Sequence, residues 1–218
     1  LDPIMSLRHR VKVEPGQVVK ISYLTAVSES RDTISEIIEK YSIPETVEEA
    51  FRLALTRSQV ETRYLNIKAS EVELYQDMIS HILFISPLKR SIQEFIEKQN
   101  TKGQSALWPY GISGDLPIML VVLQKTDEID IVYEALKAHE YWRMKDLKVD
   151  MVILNEEENS YTHPLHSLLA DVISGSHAHD IINKPGGVFV LNRNNVPEED
   201  ITLLYTIARV VLRGNHGS

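Results

Sequence analysis

The sequence predicts a mixed α/β protein, with an N-terminal β-hairpin and helical arm over residues 1–100 and a small three-strand parallel βαβαβα module over residues 101–218. Three observations predict it. Before residue 28, apolar and polar residues alternate around a Pro-Gly pair. Between residues 30 and 84, apolar residues recur at helical spacing behind Ser and Thr start signals. After residue 116, short apolar runs alternate with amphipathic helical patterns, the order of a parallel sheet with helices packed on it.

Each element has its own justification. Met5, Leu7, Val11 and Val13 alternate with polar residues, as do Val19, Ile21, Tyr23 and Val27. Glu14-Pro15-Gly16-Gln17 between them places Pro then Gly at the central positions of a type II turn. A lone hairpin is marginal in water, so this one requires a further partner sheet. Ser30 opens a helix with Ile34, Ile37, Ile38 and Tyr41 on one face. Thr46-x-x-Glu49 and Ser70-x-x-Glu73 read as capping boxes for helices from about Val47 to Tyr64 and about Glu71 to Phe84. Residues 86–103 read as a shorter helix and a polar connection.

Leu116–Leu123 then reads as a fully buried strand, Glu128–Met144 as a helix and Val149–Leu154 as a second strand. His163–Ile173 is the next helix and Gly187–Leu191 the third strand. Pro197–Arg213 completes the pattern as a helix opened by Pro and closed by Gly214.

Bulk properties exclude several classes. With 218 residues, 43% hydrophobic and 25% charged, the chain has the composition of an ordinary globular protein. A net charge of -8 argues against nucleic-acid partners and anionic membrane surfaces, which reward a basic face. There is no Cys, so disulfides and thiolate chemistry are ruled out and a reducing compartment is favoured. The longest apolar run, about eight residues, is far short of a bilayer span. The chain opens on Leu1 in a strand-like pattern, which suggests a segment of a longer polypeptide.

Two sets of residues are candidates for ligand contact. In open parallel sheets, ligands sit beyond the carboxyl ends of the strands. Those ends here carry Gln124, Asn155-Glu156 and Asn192-Arg193, polar groups suited to sugar hydroxyls and equally suited to meeting water. The second set lies in the loop Gln104–Ile118, which holds two large aromatics, two glycines and two prolines. Trp108, Tyr110, Ser113 and Asp115 read as a sugar platform, the aromatic faces covering C–H surface and the carboxylate taking hydroxyls. The rival reading makes Trp108 and Tyr110 buried plugs between modules and Asp115 an acceptor of backbone N–H groups. The loop runs straight into a buried strand, which favours the plug.

Other patterns carry less. Gly111-x-x-Gly114 lacks the Lys-Ser/Thr of a phosphate loop and precedes a strand, the wrong order for nucleotide binding. His163-x-x-His166 and His177-x-His179-Asp180 have metal-compatible spacing but no supporting Cys, and read as surface or capping histidines. Trp142 is expected in the core and Arg143 near a helix C-terminus. There is no nucleophile elbow. No catalytic residue, metal ligand or cofactor is assigned.

The stretch Gly111-Ile112-Ser113-Gly114-Asp115-Leu116-Pro117-Ile118 also resembles a motif of the cyclic β-1,2-glucan synthases, in their C-terminal region related to the cellobiose phosphorylases of glycoside hydrolase family 94 (former glycosyltransferase family 36). Leu1-Asp2-Pro3 with Val13-Glu14-Pro15-Gly16 resembles the end of that family's large β-sandwich. Ala138–Arg143, Val152–Glu156 and Gly186–Leu191 resemble segments that follow in order.

The resemblance implies one internal piece of a very large bacterial membrane enzyme, at the cytoplasmic face of the inner membrane through its parent. That parent makes cyclic β-1,2-glucan from a nucleotide-glucose donor, and its phosphorylase-like region adjusts chain length with inorganic phosphate. The family's general acid is an Asp in an (α/α)6 barrel, which this chain is too short to contain, so no catalytic residue carries over. The implied role is a non-catalytic brace or glucan guide. Its implied partners are the neighbouring β-sandwich and helical barrel, with β-glucan as ligand; separately, the unpaired edges of the hairpin suggest a homodimer of the isolated segment. The alternative is a self-contained small enzyme acting on a sugar or phosphorylated ligand at the strand ends.

Overall fold

The computed structural model describes residues 6–84, 99–157 and 164–214. Met5, His163 and residues 86–98 of the expected short helix therefore lie outside the described residues. The chain divides into two units, Leu1–Ser58 and Gln59–Ser218, the division falling inside a helix.

In the first unit the Glu14–Gln17 turn forms, with the Gln17 N–H donating to Glu14 O at 3.0 Å and Gly16 at φ 83°. The expected β-ladder on either side does not. Residues 6–29 hold no strand, and no described residue before Gln59 is buried. Val18 and Val27 are 95% and 92% exposed. Two strands with neither a third strand nor an apolar cover lack the burial that would stabilise them. The helices do follow the sequence. Helix α1 spans Arg31–Tyr41, its first turn capped by Ser30 Oγ accepting from the Thr33 N–H at 3.4 Å. Helix α2 spans Pro44–Tyr64, so Thr46 lies inside the helix instead of capping it.

The second unit is a three-layer α/β/α structure. Helix α3 spans Ala69–Leu83, with the Glu71 carboxylate accepting from the Lys68 N–H. The capping acid is therefore Glu71, two residues before the Glu73 that the sequence suggested. Strands β1 (Ile118–Leu123), β2 (Asp150–Asn155) and β3 (Val188–Asn192) form a parallel sheet, linked by helices α4 (Asp130–Met144) and α5 (Pro164–Ser174). The expected final helix is shorter than the sequence suggested. Helix α6 covers Glu198–Ile207, Ala208 turns extended at ψ 125°, and Val210–Arg213 forms a fourth strand, β4. The sheet order is β3-β2-β1-β4. The β-branched pair Val210-Val211 suits a strand better than a helix, and β1 offers a free edge for it, Met119 pairing with Val210 and Val122 with Arg213.

Burial explains the continuous apolar runs. Met119, Val121, Leu123, Met151 and Ile153 face α3, α4 and α5, while Ile118, Leu120, Val122, Val152 and Leu154 face α6 and the Gln104–Ile112 segment. A parallel sheet covered on both faces needs apolar residues at consecutive positions. Trp142 is fully buried, as expected, and its indole N–H donates to Tyr75 O at 2.8 Å. Arg143 makes two bonds to the Glu140 carboxylate, at 2.7 and 2.8 Å.

At the amino ends of the strands His139 is buried against Val149 O at 2.8 Å, and burial holds its imidazole below the usual range.

Two outcomes follow from this architecture. With its apolar residues in water, the first unit should drive self-association of the isolated chain, seen as concentration-dependent sedimentation; a monomer at all concentrations would contradict it. Because His139 takes up its proton more readily when unfolded, stability should be full above about pH 6.5 and fall as pH drops below it. Urea midpoints across that range should show the slope, and His139→Gln should remove it.

Candidate functional site

The two candidate sets do not form one site. Asp115 precedes β1 and Gln124 follows it, so the six-residue strand separates them by about 20 Å. Asp115 lies at the amino side of the sheet and Gln124 at its carboxyl edge, while Tyr110 reaches the first turn of α6.

The loop set is a structural clamp. Gln104–Tyr110 forms a 3-10 turn ended by Gly111 at φ 75°. Three residues per turn put Leu107 and Tyr110 on one side, and Trp108 on another. Leu107 and Ile112 are fully buried against the α6 face of the sheet. Tyr110 is half-buried, and its hydroxyl donates to Asp200 Oδ2 on α6 at 2.7 Å. Burial, aided by that carboxylate, pushes the phenol up to about 12. Gln104 Nε2 donates to Ser113 O at 2.8 Å and to Asp115 Oδ1 at 2.9 Å, while the Asp115 N–H donates to Ser113 Oγ at 3.2 Å. Gly114 is required there: at φ 76° it packs so tightly that a Cβ would lie 2.7 Å from Gln104 Cγ.

Neither aromatic is a plug between modules: Trp108 is 62% exposed, and Tyr110, half-buried, is tied to α6 of its own module. The residue buried beside Trp108 is Leu107. Asp115 accepts from a side-chain amide, where a backbone donor was expected.

The carboxyl-edge set does come together. Gln124 Nε2 donates to Glu156 Oε2 at 3.3 Å, and Arg193 donates to Glu156 Oε1 at 2.9 Å and to Glu198 Oε2 at 2.6 Å. Asn155 is buried, its Oδ1 accepting from the Glu157 N–H at 2.8 Å, while Asn192 Oδ1 accepts from the Asn194 N–H at 3.1 Å. Residues that sequence reasoning did not assign to the site complete the edge. Glu128 is buried and accepts from the Gln124 N–H at 2.7 Å and the Lys125 N–H at 3.4 Å. It packs against Gly214, where a Cβ would lie 2.5 Å from its own Cβ. Arg213, at the end of β4, donates to the Tyr205 hydroxyl at 2.8 Å. The signal for Glu128 was an acid just beyond a strand end; Arg213 was hidden by its assignment to a helix.

This arrangement is specific to a reversed sheet order. The chain moves from β1 outward to β2 and β3, then returns to the other side of β1, so the crevice between β1 and β4 is the switch point where such sheets bind ligands. The Glu128 carboxylate fills it.

Comparison with known proteins places the chain. The family model of the glycosyl hydrolase 94 supersandwich domain matches residues 1–44. Along 219 aligned residues, the sequence is 31% identical to the cyclic beta-(1,2)-glucan synthase NdvB of Rhizobium meliloti (strain 1021). The alignment covers 100% of this chain and 8% of that relative. This chain is related, end to end, to one segment of a cyclic β-1,2-glucan synthase. The resemblance read from the Gly111–Ile118 stretch is thereby supported over the full length.

The histidines have separate engagements. His177 Nδ1 lies 3.1 Å from the Tyr64 hydroxyl, and His179 Nδ1 lies 3.1 Å from Ser176 O. Among the described residues, no helix is long and apolar enough to cross a membrane.

The clamp geometry separates two variants. Leu107→Ala should lower the urea midpoint by an amount equivalent to about 2–5 kcal/mol, the usual range for a buried Leu. Trp108→Ala should stay within about 0.5 kcal/mol of the parent. A large loss at Trp108 would contradict its exposed placement.

Proposed function

We propose that this chain is a non-catalytic bracing segment of a glucan-synthase-type carbohydrate enzyme. The observation that carries the reading is the closure of the carboxyl edge by the chain's own side chains. At the switch point the backbone N–H groups of Gln124 and Lys125 already bind Glu128, and Glu156 is held between Gln124 and Arg193. A self-contained enzyme would need that crevice for its substrate.

The first unit supports the bracing half of the proposal. Its 1–44 match to a supersandwich domain and its exposed Val18, Val19, Ile21, Tyr23 and Val27 fit a stretch whose apolar residues are covered by the remainder of that sandwich. The sheet unit, with apolar layers on both of its faces, supplies the packed part of the brace. The neighbouring helical barrel, the nucleotide-glucose donor and membrane attachment belong to the whole parent enzyme, and reach this chain only through it.

Two measurements test this. The purified chain, given β-1,2-linked oligosaccharides and inorganic phosphate, should release no glucose 1-phosphate; release would overturn the non-catalytic reading. Extending the chain to include the preceding sandwich should protect the amides of residues 18–27 from hydrogen exchange. Unchanged exchange there would overturn the bracing role.

A further inference from the structure

The sheet ends on a strand with one neighbour. β4 pairs with β1 along one edge, and among the described residues no strand pairs with its other edge. Part of the backbone N–H and C=O groups of such a strand point outward, a row that another strand can bond. A groove of about 480 Å³, walled by α3 and α4, lies against β4. Its lining includes Leu74 and Met78 of α3, Ala135 and Ala138 of α4, and the consecutive run 209–212.

Alternate side chains of a strand point to opposite faces. Val210 and Leu212 pack with the core under α3 and α4, and Val211 with the core under α6. A groove that meets all three therefore meets the edge of the strand, not one face of it. An extended peptide supplies what such a place needs, backbone groups for the edge and alternate apolar side chains for the walls.

Charge selects the occupant. Arg209 stands just before β4 and Arg213 at its end. They are four residues apart, a spacing that puts two side chains on one face of a strand. Arg213 is exposed, and it donates to the neutral Tyr205 hydroxyl at 2.8 Å, with its Cζ 5.1 Å from the centre of the Tyr205 ring. The acid in the groove lining, Glu134, already accepts from the Tyr75 hydroxyl and from Lys137. A second copy of β4 would bring two more arginines to a strand of four residues, and like charges across a strand pair repel. A strand with acidic ends does the reverse.

We propose that the edge of β4 is a docking site for one extended polypeptide segment from outside this chain, three apolar residues flanked by acids. The added strand continues the sheet. Its acids meet Arg209 and Arg213, its second and fourth residues enter the groove beside Val210 and Leu212, and its third covers Val211. The site binds and does no chemistry. It goes beyond the bracing role and stands whether or not that role does.

The test uses a capped peptide with the core Glu-Val-Val-Val-Glu and a counterpart with Lys at both ends. Each is titrated into the dilute 15N-labelled chain while the backbone amides of Val210–Arg213 are followed by NMR. The Glu peptide should give a saturable shift there, slow the exchange of edge amides with solvent, and bind about fivefold or more tightly than the Lys peptide. Arg213→Glu leaves one charge of each sign beside the edge, so the two peptides should then bind within about twofold of each other. The amide spectrum of that variant shows whether it is folded. No saturable shift at β4, or equal binding of the two peptides by the unaltered chain, overturns the proposal. So do shifts confined to α3 and α4, which would make the groove a plain apolar pocket. An unchanged preference in the variant overturns the pairing with Arg213. Shifts at β4 that follow chain concentration without peptide would assign the edge to a second copy. Edge amides already slow in the free chain at every concentration would show the edge filled, and would overturn the site as well.

Discussion

The second unit depends on β1. All six of its residues are buried, and they alternate between two cores, Met119, Val121 and Leu123 on one side and Ile118, Leu120 and Val122 on the other. It is also hydrogen-bonded on both edges, to β2 and to β4. One strand therefore fixes the register of its neighbours and the positions of both helical layers. A polar residue at any of these positions would be stranded in an apolar layer. The same strand sets the two ends of the unit: its amino end follows directly on the loop at Asp115–Pro117, and its carboxyl end opens the switch point.

What was legible in the sequence follows from how local each signal is. The runs at β1, β2 and β3 and the periodicity of α1 to α5 are carried by neighbouring residues, and they were read within a few positions. Strand β4 was not, because its signal is not local. Val210-Val211-Leu212 follows a helix with no turn residue between, and its partner Met119 lies far back in the chain. The N-terminal hairpin failed in the opposite way. Its alternation and its turn are local and present, yet a ladder also needs a covering layer, and the described residues before Gln59 contain no buried position.

The candidate site shows the same division. Gln124, Asn155, Glu156 and Asn192 were found because the carboxyl end of a strand is a position that sequence can mark. Their mutual bonding was not visible, since it depends on which strands are adjacent. In the loop, the aromatic pair Trp108 and Tyr110 looked equivalent. The short 3-10 repeat separates them, aligning Tyr110 with Leu107 over the core and turning Trp108 to solvent. Spacing by three, applied to Leu107 and Tyr110, was the signal that could have distinguished them.

The bonding of the carboxylates also bears on chemistry. Hydrolysis or transfer at a glycosidic bond uses two carboxyl groups, one giving a proton to the leaving oxygen and the other acting on the sugar or on water. At the carboxyl edge Glu156 accepts on both oxygens, from Gln124 and Arg193. Glu128 accepts two backbone N–H groups and is walled in by Gly214. Each is held in place as an acceptor of these bonds. Arg193, shared between Glu156 and Glu198, ties the edge further. An edge so arranged can present amide, carboxylate and guanidinium groups to a hydroxylated chain passing over it. Cleaving that chain at this edge would first require these bonds to be broken.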